Sequence, residues 1–169
     1  LTSFTIPRDL SWFGHGAFSG STNLKSFTVE EGNETYSADA GLLMSADGSS
    51  VMTVPCGMES VIIPEGVTFI DWQAALNCNL TTLSLPESLT SIDGYSFRGC
   101  KNLKSVRVPD NVEYIGWMAF ANCTSLKSVS LPSTINEEWL YAEEIFYGCP
   151  DDLKIVFRSA PQYTLSANP

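Results

Sequence analysis

Short segments in which apolar and polar residues alternate recur along the whole chain, and most of them end at a proline. In the segment LKSVRVP (103–109), Val106 and Val108 fall on one side of an extended chain and Arg107 falls on the other. Equivalent inward pairs are Phe4/Ile6, Phe27/Val29, Val61/Ile63, Leu83/Leu85 and Val129/Leu131. The pattern predicts a series of short β-strands, each with one apolar side.

These segments recur at a nearly constant spacing. Leu1 to Leu24, Leu80 to Leu103 and Leu103 to Leu126 each span 23 residues, and Met58 to Leu80 spans 22. The repeat units therefore begin near residues 1, 24, 58, 80, 103, 126 and 153. A fixed period of this length is typical of proteins built from stacked repeats.

Each unit carries more apolar side chains than it can bury alone. The strand pair is followed by a second apolar pair, as in Val112/Ile115, and then by a core phenylalanine column: Phe18, Phe97, Phe120 and Phe146. In the unit that starts at Met58, Ala75 replaces this phenylalanine. Stacked units bury these groups against one another. We therefore predict a single α/β solenoid over residues 1–169, with about seven coils. A parallel sheet would form one face, and short strands, turns and helical turns the other.

The second unit is longer than the others. Its segment GLLMSADGSSVMTVP has apolar runs on both sides of Asp47-Gly48, a dipeptide that favours tight turns. We predict a β-hairpin at about 41–55 that projects from one edge of the solenoid.

Composition and charge exclude several functions. The formal net charge of −10 and the pI near 4.3 argue against a nucleic-acid partner, which needs clustered Lys and Arg. No apolar run approaches the roughly 20 residues that cross a bilayer, so we expect no membrane insertion. With one histidine, His15, and no nucleotide-binding or nucleophile motif, the chain is predicted to be neither an enzyme nor a cofactor-binding protein. The chain has no initial Met, so we expect a mature fragment of something larger.

Four of the five cysteines share one position in the repeat. Cys78, Cys100, Cys123 and Cys149 follow the core phenylalanine column, and Ser21 fills the same position in the first unit. Stacked coils would place them about 4.8 Å apart. A disulfide framework is one interpretation, but a small buried thiol also suits a tight inward turn. We predict that the four are buried and unbridged. Their spacings do not fit the short Cys pairs of zinc sites, so no metal is expected.

The units resemble a known repeat. LTSFTIPRDLSWFGHGAFSGSTN, LTTLSLPESLTSIDGYSFRGCKN and LKSVRVPDNVEYIGWMAFANCTS are similar to the BspA-like leucine-rich repeats. The resemblance implies a right-handed leucine-rich-repeat coil in a secreted or cell-surface bacterial protein that adheres to host proteins or other cells. It implies no catalytic residues.

Two surfaces are candidate binding sites. The outward side of the predicted sheet carries a basic patch made of Lys104, Arg107, Lys127 and Lys154. The opposite flank carries two aromatic columns, one with Trp12, Phe69 and Tyr114 and the other with Trp72 and Trp117. The basic residues bind an acidic partner or only keep the sheet soluble and unpaired. The aromatic residues bind a sugar or protein, or only pack between coils. We therefore predict an extracellular, adhesion-type module for a host or cell-surface protein, with a glycan-binding accessory domain as the alternative.

Overall fold

The computed structural model describes residues 1–158, and the remaining residues of the predicted domain, 159–169, lie outside them. The regular secondary structure of the described chain is almost all strand, and the chain winds into a solenoid of about seven turns, which confirms the predicted coil of parallel strands. Its strands are β1 (Ser3–Ile6), β2 (Ser26–Val29), β3 (Tyr36–Asp39), β4 (Leu42–Ser45), β5 (Ser50–Thr53), β6 (Ser60–Ile62), β7 (Phe69–Ile70), β8 (Thr82–Ser84), β9 (Ser91–Ile92), β10 (Ser105–Arg107), β11 (Tyr114–Ile115), β12 (Ser128–Leu131) and β13 (Lys154–Phe157).

A single short helix, α1 (Glu137–Ala142), occurs among the described residues. It lies in the longer sixth unit and starts after Asn136, whose side-chain oxygen accepts the Trp139 backbone N–H at 2.8 Å. No described helix has the length or apolar character needed to cross a bilayer. The described coils are therefore closed by strands and turns, with little of the helical content that the α/β class implies.

The repeat strands form the first face of the solenoid. β1 pairs with β2, β6 with β8, and β10 with β12, which also pairs with β13; every pairing is parallel. Equivalent residues of successive units lie side by side, as in Val106 beside Val129. Both valines are buried, while Arg107 and Ser105 point outward. The face thus consists of three hydrogen-bonded groups of strands, of which β6–β8 and β10–β12–β13 adjoin each other.

A six-stranded sheet with the order β11-β9-β7-β5-β4-β3 forms the second face. β4 and β5 are the two strands of an antiparallel hairpin that turns at Asp47-Gly48. The expectation that this hairpin projects from an edge is wrong. β5 pairs in parallel with β7, and Leu42, Leu43 and Val51 are completely buried. The apolar side chains are covered only when the hairpin continues the sheet, which explains its position.

A third set of hydrogen bonds links the turns that contain the core phenylalanine column. In the coil that starts at Met58, the backbone N–H groups of Gln73, Ala75 and Asn77 donate to carbonyls of the next coil at 3.2, 2.7 and 2.8 Å. The two following coils repeat this ladder, as in Phe97 N–H to the Ala119 carbonyl at 2.8 Å. Left-handed backbone recurs at fixed positions of these turns: Gln73, Tyr95, Met118 and Glu144 in one column, and Asn77, Gly99, Asn122 and Gly148 in another.

The interior contains two hydrophobic clusters. The larger one runs from Leu42 to Ile145 and includes the stacked rings of Phe97 and Phe120, whose centroids are 5.1 Å apart. Phe120 also stacks on Phe146 at 5.8 Å. Phe18 instead packs with the smaller cluster, whose buried members are Ile6, Leu24, Phe27, Tyr36 and Leu43. Ala75, which is buried but has no ring, marks the interruption of the phenylalanine column.

Candidate binding surfaces

The outward side of the first face is lined mainly by hydroxyl groups. Ser3, Ser26, Ser60, Thr82, Ser105 and Ser128 occupy one set of outward positions, and Thr5, Thr28, Ser84 and Ser130 another. The Thr5 and Thr28 hydroxyls are 2.8 Å apart, as are those of Ser60 and Thr82. Because strand residues alternate between the two faces of a sheet, the inward valines fix these polar groups on the surface. The result is a flat polar surface with its cations at the end formed by β10, β12 and β13.

Three of the four predicted basic residues are exposed on this surface without an ion-pair partner. Lys104 and Lys127 directly precede β10 and β12 and are adjacent, because the Lys127 N–H donates to the Lys104 carbonyl at 2.9 Å. Lys154 is the first residue of β13, next to them. Within residues 1–158, no carboxylate oxygen lies within 4.0 Å of these three ammonium groups. They form a local cationic cluster on an acidic protein.

The repeat register predicts that Lys154 aligns with Lys104 and Lys127, but the structure shows a different register. Lys154 pairs with Ser128, so that Ile155 lies beside Val129. A shift of one residue exchanges the two faces of a strand. In the predicted register, Val156 and Arg158 would be the inward pair. The observed register keeps the Arg158 guanidinium out of the core, which accounts for the shift.

Arg107, the fourth predicted residue, is neutralised in part by acidic neighbours. Its guanidinium lies 2.7 Å from Glu87 and 3.6 Å from Asp110. Both pairs are about half exposed, so each adds little stability. Arg158, which the repeat pattern did not indicate, bonds to Asp110 at 2.5 Å, to the Ser130 hydroxyl at 2.8 Å and to the Val108 carbonyl. The Arg158 hydrogen bond lowers the pKa of the Asp110 carboxyl.

The aromatic flank is assembled differently from its prediction. Phe69 and Tyr114 do share a row, because both pair with Ser91 on the second face. Trp12 lies outside the strands, is 71% exposed, and borders a small cavity together with Trp72 and His15. Tyr114 packs on Trp139 with ring centroids 5.5 Å apart.

Trp72 and Trp117 belong to one stack of rings with a third member, Tyr95. Edge-to-face contacts join Trp72 to Tyr95 at 4.8 Å and Tyr95 to Trp117 at 5.1 Å. Tyr95 was missed because the repeat places Gly94, not Tyr95, in the tryptophan column. A Cβ atom on Gly94 would lie 2.4 Å from the Trp72 ring, so only glycine leaves room for the stack. The rings pack between coils, but 42% of the Trp117 surface stays exposed.

Two carboxylates lie at the base of this aromatic stack. The Asp71 carboxylate accepts a hydrogen bond from the backbone N–H of Trp72 at 2.8 Å, and the Asp93 carboxylate accepts one from the backbone N–H of Gly94 at 2.7 Å. Burial raises the pKa of Asp71, and the nearby negative charge of Asp93 adds to this effect. Carboxylates beside aromatic rings can accept hydrogen bonds from sugar hydroxyls. Residues 1–158 hold no group of three or more His, Cys, Asp or Glu side chains arranged to bind a metal ion.

The prediction that all four column cysteines are unbridged is wrong for Cys78. It forms a disulfide with Cys56, while Cys100, Cys123 and Cys149 are free thiols. Cys56 lies two residues before Met58, as Cys78 lies two before Leu80, but the long second unit obscured this equivalence. Stacking brings the two Cα atoms to 4.1 Å, close enough for the sulfurs to bond. Cys149 is also only half-buried, whereas Cys100 and Cys123 are fully buried.

An apolar cleft of about 520 Å³ lies between α1 and β13. Its apolar lining is Leu140, Phe146, Tyr147, Leu153, Ile155 and Phe157, with the carboxylates of Glu137 and Glu144. In this cleft, side chains of the larger hydrophobic cluster reach the surface next to β13, the last described strand. The sequence pattern gave no indication of it.

Short parallel strands stacked coil on coil, each unit opened by a leucine or a similar residue, define a leucine-rich-repeat solenoid. The family described as "BspA type Leucine rich repeat region" matches residues 1–40 and 54–161 in six copies. The chain therefore belongs to the BspA-type leucine-rich repeat family, as the sequence predicted. The proteins of this family and fold are typically scaffolds without catalytic activity.

Solved bacterial structures share the fold. A leucine-rich repeat protein from Eubacterium ventriosum superposes with a TM-score of 0.69 at 24% identity, over 76% of this chain and 35% of its own. The pneumococcal vaccine antigen PcpA gives 0.62 at 26% identity, over 95% and 46%. A leucine-rich cell surface protein from Faecalibacterium prausnitzii gives 0.60 at 24% identity, over 95% and 49%.

This chain spans less than half the length of each of these three structures. A search of curated protein sequences found no match.

Proposed function

We propose that this chain is an extracellular or cell-surface module of adhesion type, without catalytic activity, that binds an acidic or amphipathic protein through its first face. The observation that carries this proposal is the cluster of Lys104, Lys127 and Lys154, which are exposed, adjacent and free of ion pairs within the described residues. Family membership and the similarity to a pneumococcal antigen support a location outside the cell.

The geometry suits a charged partner. Neighbouring strands are about 4.8 Å apart, so the three ammonium groups lie within one Debye length at physiological salt and act together on a ligand. The hydroxyl-lined remainder of the face offers donors and acceptors for further contacts. Steering by such a cluster accelerates association and weakens as salt is added.

A charge-matched pair of variants tests this. We expect Lys104→Ser/Lys127→Ser to slow association with a matrix-protein ligand roughly tenfold and to flatten its salt dependence. Lys25→Ser/Lys101→Ser removes the same charge outside the cluster and is the control. Each exposed change should alter stability by only about 0.5 kcal/mol. Surface plasmon resonance against immobilised fibronectin, laminin and fibrinogen at two salt concentrations measures the effect. Equal association rates for both variants would contradict the proposal.

A glycan-binding function is the second candidate. The observation that favours it is the exposed ring of Trp12, which lines a small cavity with Asp71 and Trp72, together with the exposed part of Trp117. Aromatic rings stack on the apolar faces of sugars, and carboxylates accept their hydroxyl protons. On a glycan array, Trp117→Ala should abolish binding while Lys104→Ser/Lys127→Ser leaves it unchanged. The reverse result would exclude this candidate.

A further inference from the structure

The five cysteines form one column along the solenoid. Only the first neighbouring pair, Cys56 and Cys78, is joined by a disulfide. Each of the three free thiols donates to a carbonyl one coil earlier: Cys100 to Ala75 at 3.2 Å, Cys123 to Phe97 at 3.3 Å and Cys149 to Phe120 at 3.2 Å. The three therefore hold equivalent positions in successive coils. The bridged pair, Cys56 and Cys78, shows that this stacking can bring two sulfurs into bonding distance.

Cys123 and Cys149, the last neighbouring pair in the column, are the free cysteines best placed to form a second disulfide. Cys123 and Cys149 occupy neighbouring levels of the column, because the carbonyls that accept their S–H groups, those of Phe97 and Phe120, belong to successive coils. Cys149 is half-buried, so an oxidant can reach it from solvent, whereas Cys100 is completely buried. We propose that Cys123 and Cys149 are a redox-active pair that forms a second disulfide when the protein meets a small-molecule disulfide such as oxidised glutathione.

Exposure and the neighbouring thiol also determine which sulfur reacts first. The interaction between the two thiols lowers the pKa of Cys149 and raises that of Cys123, while burial raises the pKa of Cys100 to about 12. A thiolate is the nucleophile in thiol-disulfide exchange. Cys149 is therefore the attacking group, and Cys123 is the resolving group held beside it.

The reaction balances with the external disulfide as the oxidant. The Cys149 thiolate attacks one sulfur of glutathione disulfide, the S–S bond breaks and one glutathione thiolate leaves. Cys123 then loses its proton and attacks the Cys149 sulfur, which forms the Cys123–Cys149 bond and releases the second glutathione. Two electrons pass from the protein thiols to the glutathione disulfide, and two protons are released. The bond would join the fifth and sixth coils across the insertion that contains α1.

The tryptic fragments of this chain distinguish the possible pairings among the three free cysteines. Cys56 and Cys78 fall in one peptide, 26–98, Cys100 falls in 99–101, Cys123 in 108–127 and Cys149 in 128–154. After incubation with oxidised glutathione and blocking of free thiols, mass spectrometry of the unreduced digest should show 108–127 linked to 128–154. The intact mass should fall by about two hydrogens relative to the untreated protein, as one further disulfide requires.

Two variants complete the test. Cys100→Ser should still form the link between 108–127 and 128–154. Cys149→Ser should form neither this link nor a glutathione adduct on Cys123, because the entry point is lost. The proposal is overturned by a link from 99–101 to either neighbour, by a glutathione adduct on Cys149 that never resolves, or by no further oxidation of the folded protein.

Discussion

At the scale of single residues, the packing of Phe120 tests the core most directly. Its ring is completely buried between Phe97 and Phe146, which belong to the preceding and following coils. Phe120→Ala should therefore cost roughly 3–5 kcal/mol of unfolding free energy, because the cavity would touch both neighbours. Chemical denaturation followed by circular dichroism measures the loss.

Ser84→Ala is the matched control for this change. Ser84 is an outward residue of β8 in the same solenoid, and its exposed side chain should contribute less than about 0.5 kcal/mol. Similar losses for the two variants would contradict the assignment of Phe120 to the core column.

At the scale of elements, the turns limit how closely successive coils approach. A Cβ atom on Gly116 would lie 2.5 Å from the backbone nitrogen of Gly94 in the preceding coil. Backbone atoms cannot move aside as a flexible side chain can. The hydrogen bond from the Gly116 N–H to the Ile92 carbonyl, at 2.8 Å, depends on the same close approach.

Gly116→Ala should therefore destabilise the protein by about 1–3 kcal/mol, the usual cost of overpacking. Gly14→Ala is the control, because no atom lies within 4 Å of its added Cβ and its φ is not positive. Thermal unfolding of both variants compares them. A melting temperature for Gly116→Ala that equals that of Gly14→Ala would show that the coils are spaced more loosely than described.

At the scale of the whole molecule, the two hydrophobic clusters predict unequal stability along the chain. The smaller cluster holds the coils of β1 and β2, and the larger one holds the coils from the hairpin to Ile145. Stacked repeats contact only their neighbours, so a small terminal cluster should open before a large central one.

Native-state hydrogen exchange with increasing denaturant should show this order. The Phe27 amide, bonded to the Gly41 carbonyl at 2.8 Å, should open at a lower free energy than the Phe97 amide, bonded to the Ala119 carbonyl at the same distance. The two amides form an internal comparison, because their hydrogen bonds are equally short. A single opening free energy for both would mean that the solenoid unfolds as one unit.

The family and the coil of parallel strands were both predictable from the sequence. The period of 22 to 23 residues brings chemically equivalent side chains of successive coils into contact, and alternation within each strand assigns them to the core or the surface. Lys104 and Lys127 are found exposed and adjacent for this reason, since both stand in the same position of regular units.

The same reasoning failed where the repeat units are irregular. The hairpin was expected to project, because local alternation shows that it is a hairpin but does not show which sheet it joins. Cys56 was not recognised as part of the cysteine column, because the long second unit hid its register. Tyr95 was missed because its ring fills the space that Gly94 leaves between two tryptophans, and such a contact depends on three coils together.

The sequence by itself determined the repeat, the inward residues and the surface that carries the lysines, because each follows from local period and alternation. The tertiary structure decided the Cys56–Cys78 bond, the register of Lys154 and the partners of Arg107. These three features depend on how each coil packs against the next. A shift of a single residue at β13 would turn Val156 and Arg158 inward in place of Ile155 and Phe157, and only the packing of the complete core selects between the two registers.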